Sequence, residues 1–116
     1  MEIAGEALFK SGQTELQGGA QRVFRRLIPI MTNMTHPIIV EGHTDDSPTK
    51  TRRFPSNWEL SSARASSVAR FLIKMGNLNS KRFTVVGCAE TKPLFENTSA
   101  ENKAKNRRVT IIFEMS

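Results

Sequence analysis

Apolar residues recur in steps of three and four at Leu16, Ala20, Val23, Leu27, Ile30 and Met34, a spacing that predicts an amphipathic helix over 14–33. Gly18-Gly19 weakens its first turn, and Pro29 predicts a kink. A second helix is predicted from Ser56 to Met75. Its start is marked by Ser56 as N-cap with Glu59 three residues on, a capping-box pattern, and Gly76 is expected to stop it. Short apolar runs bounded by breakers predict strands over Glu2–Phe9 (an edge strand, weakened by Gly5), His36–His43 (buried on both faces), Lys81–Ala89 and Arg108–Met115. Lys10–Thr14 reads as a turn, Asp45–Pro55 as a polar loop, and Glu90–Thr98 as a second loop. A short polar helix is predicted from Thr98 to Arg107. Strands alternating with helices imply an α/β sandwich: a small mixed four-stranded sheet with the two long helices packed on one face.

One residue breaks the pattern. On a helical wheel Leu60, Val68, Phe71, Leu72 and Met75 share one side of the second helix, and Arg64 falls inside that arc, with Asn57 on the same side. A guanidinium on a buried face needs an anionic partner. Asp45 and Asp46, just past the strand that ends at His43, are the acids the intervening loop can deliver to the helix N-terminus. One reading is an ion pair that only fixes the loop. The other is a ligand site, because an aspartate beside an arginine complements the carboxylate and ammonium of an amino-acid centre.

Composition narrows the possibilities. The chain has 116 residues, 38% hydrophobic and 24% charged, which suits a single folded domain over 1–116. Its one cysteine, Cys88, allows no intramolecular disulfide. No apolar run is long enough to cross a membrane, so any membrane segment or targeting signal of a parent protein is expected outside this stretch. The net charge of +6 and pI of about 10.1 favour an anionic partner. Aromatic residues are only 7%, tyrosine is absent and no strand interleaves basic with stacking residues, so no nucleic-acid partner is expected. His43 and Asp45 with His36 or Cys88 could be tried as metal ligands. However, His36 and His43 lie an odd number of residues apart on one predicted strand and so point to opposite faces. Cys88 has no evident base. Neither a catalytic set nor a metal or other cofactor is expected.

Several spaced blocks carry a family likeness. Gly42-His43-Thr44-Asp45 is followed by Asn57, Leu60-Ser61 and Arg64-Ala65, then Gly87, then Asn97-Thr98 and Asn106-Arg107-Arg108-Val109. In this order they resemble the OmpA-like peptidoglycan-binding domains, and with the opening strand and helix the likeness covers nearly the whole chain. The run Thr44-Asp45-Asp46-Ser47-Pro48, the longer loop to Phe54, and Phe54–Ser61 are most similar to the MotB/PomB type of flagellar stator subunit. The sequence departs from the family at Cys88, where relatives often have an aromatic, and at Asn102-Lys103, where Gly-Arg is common. The resemblance implies a non-catalytic periplasmic wall anchor whose parent sits in the inner membrane, pairs with a stator ion-channel subunit and works as a homodimer. It implies that Asp45 and Arg64 grip the diaminopimelate of the peptidoglycan stem, with Thr44, Asn57, Leu60 and Arg107 or Arg108 beside them.

Overall fold

The computed structural model describes residues 1–115; Ser116, the last residue of the expected domain, lies outside the described residues. The elements are β1 (Glu2–Ala4), α1 (Gly5–Leu8), α2 (Ala20–Thr32), β2 (Ile38–His43), α3 (Asn57–Gly76), a 3-10 turn (Ser80–Arg82), β3 (Phe83–Gly87), α4 (Ala100–Asn106) and β4 (Arg108–Phe113). The sheet order is β1-β4-β2-β3. β2 runs parallel to β3 and antiparallel to β4, and β1 is antiparallel to β4. This is the mixed four-stranded sheet that the element order implied.

Strand periodicity divides the sheet into two faces. Ile38 and Val40 of β2 lie beside Ile111 and Val109 of β4, and Ile3 of β1 pairs with Val109. These side chains form one core with Ala20, Phe24, Leu27 and Met31 of α2 and Ala65, Val68, Ala69 and Leu72 of α3. Both long helices therefore cover the same face. Phe24 and Phe71 meet at 5.4 Å between ring centroids, where the two helices touch. The opposite face of the sheet carries Glu2, Glu41, His43, Arg108 and Thr110.

α3 lies very close to the sheet. A Cβ at Gly42 would sit 2.1 Å from the Ser61 carbonyl oxygen, and one at Gly87 2.0 Å from Ser62 Oγ. Two glycines side by side on neighbouring strands let the helix backbone rest on the sheet.

Several expected boundaries move, each for a local reason. The first strand stops at Ala4, because Gly5 donates its N–H to the Arg107 carbonyl at 2.8 Å and the chain turns into α1. α2 begins at Ala20 and not at Thr14. Gly18-Gly19 precede it, and Leu16 instead forms a bridge with Phe9. The buried stripe of α2 is thus Ala20, Phe24, Leu27 and Met31, while Ile30 is exposed. Pro29 lies inside α2, which continues through it to Thr32. Ser56 caps α3 as expected by accepting from the Trp58 N–H, while Glu59 bonds the Ser56 hydroxyl. Gly76 is the last helical residue, and Asn77 (φ 49°) ends α3 in the left-handed conformation. Gly76 serves closeness: a Cβ there would lie 3.1 Å from Ile28 Cγ2 of α2. Met75, placed in the buried arc by the wheel, is half exposed. β3 is delayed to Phe83 by the 3-10 turn, which Asn79 caps.

Candidate functional site

A cleft of about 680 Å³ opens where the end of β2, the first turns of α3 and the segment around α1 converge. Thr44, Asp45, Asn57, Leu60, Arg64 and Arg107 all line it, with Phe9, Lys50 and Phe54. The structure therefore brings together six of the seven residues singled out from sequence. The seventh, Arg108, points to the other side of the sheet. Its Nε donates to Glu2 Oε2 at 2.9 Å, and its terminal nitrogens donate to the Asn106 and Lys92 carbonyls.

The loop leaving β2 is bound on both sides. Thr44 N–H donates to the Ala89 carbonyl at 2.9 Å, and Ala89 N–H donates to Ser61 Oγ at 3.0 Å. Ala89 makes both bonds from a left-handed conformation (φ 52°), a strained choice for a residue with a Cβ. Asp45, 5% exposed, accepts from Ser47 N–H at 2.8 Å and from Arg107 Nη1 at 2.5 Å. Asn57 donates through Nδ2 to the Ser47 carbonyl and to Glu90 Oε2, both at 3.1 Å. Its Oδ1 is buried with no partner among the described residues.

Arg64 departs from the sequence expectation. It is buried, as the wheel required, yet its direct partner is no acid. Its Nε donates to the Gln13 carbonyl at 2.9 Å, and its guanidinium lies over the Phe9 ring at 5.1 Å. Asp45 instead bonds Arg107, and Asp46 pairs at the surface with Lys103. No hydrogen bond from the two terminal nitrogens of Arg64 is made among the described residues. Burial pushes the Arg64 pKa down, the Arg107 charge adds to this, and Asp45 opposes it. Arginine nonetheless stays protonated, so the cleft contains a cation whose two terminal nitrogens keep four N–H donors. Phe9 and the Gln13 carbonyl were invisible from the wheel. They come from the Phe9–Leu16 segment, whose turn carries Gly12 in the left-handed region (φ 71°).

On the opposite face a second group gathers. His43 Nε2 lies 3.1 Å from Glu41 Oε1, and Cys88 stands beside them. Burial and the charge of Arg108 lower the His43 pKa, against the hydrogen bond to Glu41. Burial and Glu41 raise that of the Cys88 thiol. His36 takes no part: it precedes β2, and its Nδ1 is a buried nitrogen with no partner among the described residues.

Comparison with known proteins identifies the family and fold. The OmpA family profile matches residues 8–107. Uncharacterized protein YtxE of Bacillus subtilis is 40% identical over 109 residues, covering 94% of this chain and 45% of that protein. Motility protein B of the same organism is 41% identical over 83 residues, covering 72% of this chain and 32% of that protein. The chain thus spans less than half the length of these curated relatives. Among solved structures, the cell wall anchor of the T6SS from Pseudomonas aeruginosa superposes with a TM-score of 0.90 at 37% identity, covering 98% of this chain and 80% of that one. The periplasmic domain of Helicobacter pylori MotB superposes with a TM-score of 0.87 at 30% identity, covering 97% and 73%.

Proposed function

The chain belongs to the OmpA family, and on that footing we propose that it binds peptidoglycan without catalysis and anchors a membrane-embedded machine to the cell wall. The observation that carries the reading is Arg64. A buried guanidinium held by a carbonyl and an aromatic face, with its two terminal nitrogens unused by the protein, is suited to receive a carboxylate as a bidentate pair. Among the described residues Asp45 accepts two hydrogen bonds, from Ser47 N–H and Arg107, and keeps acceptor capacity for an ammonium group. Together they complement the zwitterionic end of diaminopimelate in the stem peptide. Thr44, Asn57 and Leu60 line the approach, and Arg107 orients Asp45. Arg108 belongs to the supporting structure in this reading, because it ties the sheet to the Asn106 and Lys92 carbonyls.

The machine we favour is a flagellar stator, on the similarity to Motility protein B. The domain would then lie in the periplasm as 1–116 of a longer, membrane-anchored parent that pairs with an ion-channel subunit and acts as a homodimer. A second reading, a wall anchor for a secretion machine, is favoured by the likeness to the Pseudomonas anchor. Deleting the domain from its parent separates them: swimming is lost under the first reading and kept under the second.

Binding itself is tested by co-sedimentation with purified sacculi and by titration with diaminopimelate-containing muropeptide. Asp45→Asn and Arg64→Ala, each shown to be folded by circular dichroism, should lose about 2–5 kcal/mol of binding, the range for truncating one member of a buried charge contact. If both bind like the wild type, the cleft is not the wall site.

A further inference from the structure

The helix-free face of the sheet holds a group of donors that wall binding does not use. Glu41 and His43 are two apart on β2 and so project from the same face. Cys88 follows β3, and its N–H donates to the Gly42 carbonyl at 2.9 Å, which continues the β2–β3 pairing and sets Cys88 beside His43. One ligand atom from each of Glu41, His43 and Cys88 lies within 4.8 Å of the others. The His43 side chain is 2% exposed, its Nε2 meets Glu41, and its Nδ1 is buried with no partner among the described residues. Glu41 is therefore the imidazole's one side-chain tie among them, and Nδ1 is not committed to another hydrogen bond.

We propose that Glu41, His43 and Cys88 form a binding site for a divalent cation of borderline softness, Zn2+ in the first place. Thiolate, imidazole and carboxylate are the three donor types that Zn2+ accepts, and three protein ligands leave the fourth tetrahedral position to water. With bonds of about 2.0–2.3 Å, a tetrahedral ion holds its donors roughly 3.3–3.8 Å apart. The three ligand atoms already lie within 4.8 Å of one another, so a closing movement of about 1 Å reaches that spacing. Arg108 faces His43 across the ladder and is engaged by Glu2 at 2.9 Å, while Lys92 and Glu41 act on the Cys88 thiol in opposite senses. With the Glu41 carboxylate and a Cys88 thiolate, the donor set carries two negative charges, which match those of the ion.

The test uses the metal alone, on chelator-stripped protein kept in a non-thiol reductant. Titration with Co2+ should produce a thiolate-to-cobalt charge-transfer band and four-coordinate ligand-field bands that saturate at one ion per chain and are displaced by Zn2+. Cys88→Ser, which keeps the side chain's shape, should abolish the charge-transfer band and weaken Zn2+ binding about tenfold or more, and Glu41→Gln should weaken it by a similar factor. Asp45→Asn, on the other side of the sheet, should bind Zn2+ like the wild type. Absence of the band in the wild type, or Zn2+ binding that Cys88→Ser and Glu41→Gln both leave unchanged, overturns the proposal.

Discussion

Arg64 shows how a buried charge is tolerated when no acid bonds it directly. Its Nε is satisfied by a main-chain carbonyl and its flat face by Phe9, so the cost of burial is met by groups that carry no net charge. The guanidinium thus remains available to an incoming anion, which a tight ion pair with Asp45 would have prevented. Asn106 works differently, because all its polar capacity is spent internally. Fully buried, it accepts from the Leu94 and Phe95 N–H groups through Oδ1 and donates through Nδ2 to the Phe95 carbonyl and Asn97 Oδ1. One side chain therefore holds the loop that follows β3. Asn106→Ala should cost about 1–3 kcal/mol in urea unfolding, since it strands those loop groups. Asn106→Asp should do no better, because it turns a donor into an acceptor facing two other acceptors. Equal stability of Asn106→Asp and wild type would show that the Nδ2 bonds contribute nothing.

At the scale of elements, α3 organises the molecule. Ser56 fixes its start, Asn77 its end, and Gly42 with Gly87 the depth at which it meets the sheet. That depth places Ser61 Oγ where the Ala89 N–H can reach it, and Ala89 in turn holds Thr44 beside Asp45. Packing and site geometry are thus one set of contacts. Gly42→Ala puts a methyl against the main chain of Ser61, which cannot swing aside as a side chain would. We expect a loss of about 3 kcal/mol or more in chemical denaturation, at or above the upper end for overpacking. Ser56→Ala, in contrast, removes only a half-buried cap and should cost about 1 kcal/mol. The helix was readable in the sequence because cap, periodicity and stop signals agreed. α2 was harder for a definite reason. Leu16 fits the step pattern but is taken by the bridge to Phe9, so the true stripe runs through Phe24 and Met31 and leaves Ile30 outside. Periodicity gives the angle between positions, and only the neighbouring chain decides which face is turned inward.

Across the whole molecule, the cleft is assembled from segments far apart in the chain. Phe9 and Gly12 come from the N-terminal turn, Thr44 and Asp45 from the end of β2, Asn57, Leu60 and Arg64 from α3, and Arg107 from the junction of α4 and β4. Sequence placed most of these residues in one site, since a strand end and the following helix must meet. It misassigned the pairing, because Arg107 reaches Asp45 only once β4 has docked beside β2, a long-range event that no local spacing reports. That difference can be measured. If Asp45 and Arg107 form the structural pair, a double-mutant cycle in unfolding free energy with Asp45→Asn and Arg107→Ala should show coupling of about 1–2 kcal/mol. The figure is kept below that of a fully buried pair because Arg107 is 39% exposed and partly screened. The corresponding cycle for Asp45 and Arg64 should give a smaller coupling, because they share no hydrogen bond and interact only through their charges. In the proposed muropeptide binding the ranking should reverse. Arg64→Ala should lose the most affinity, while Arg107→Ala loses part of it, through a less well-oriented Asp45. Strong stability coupling between Asp45 and Arg64, with none between Asp45 and Arg107, would mean that the aspartate turns to the helix in solution, and the cleft would then offer a closed ion pair in place of a free guanidinium.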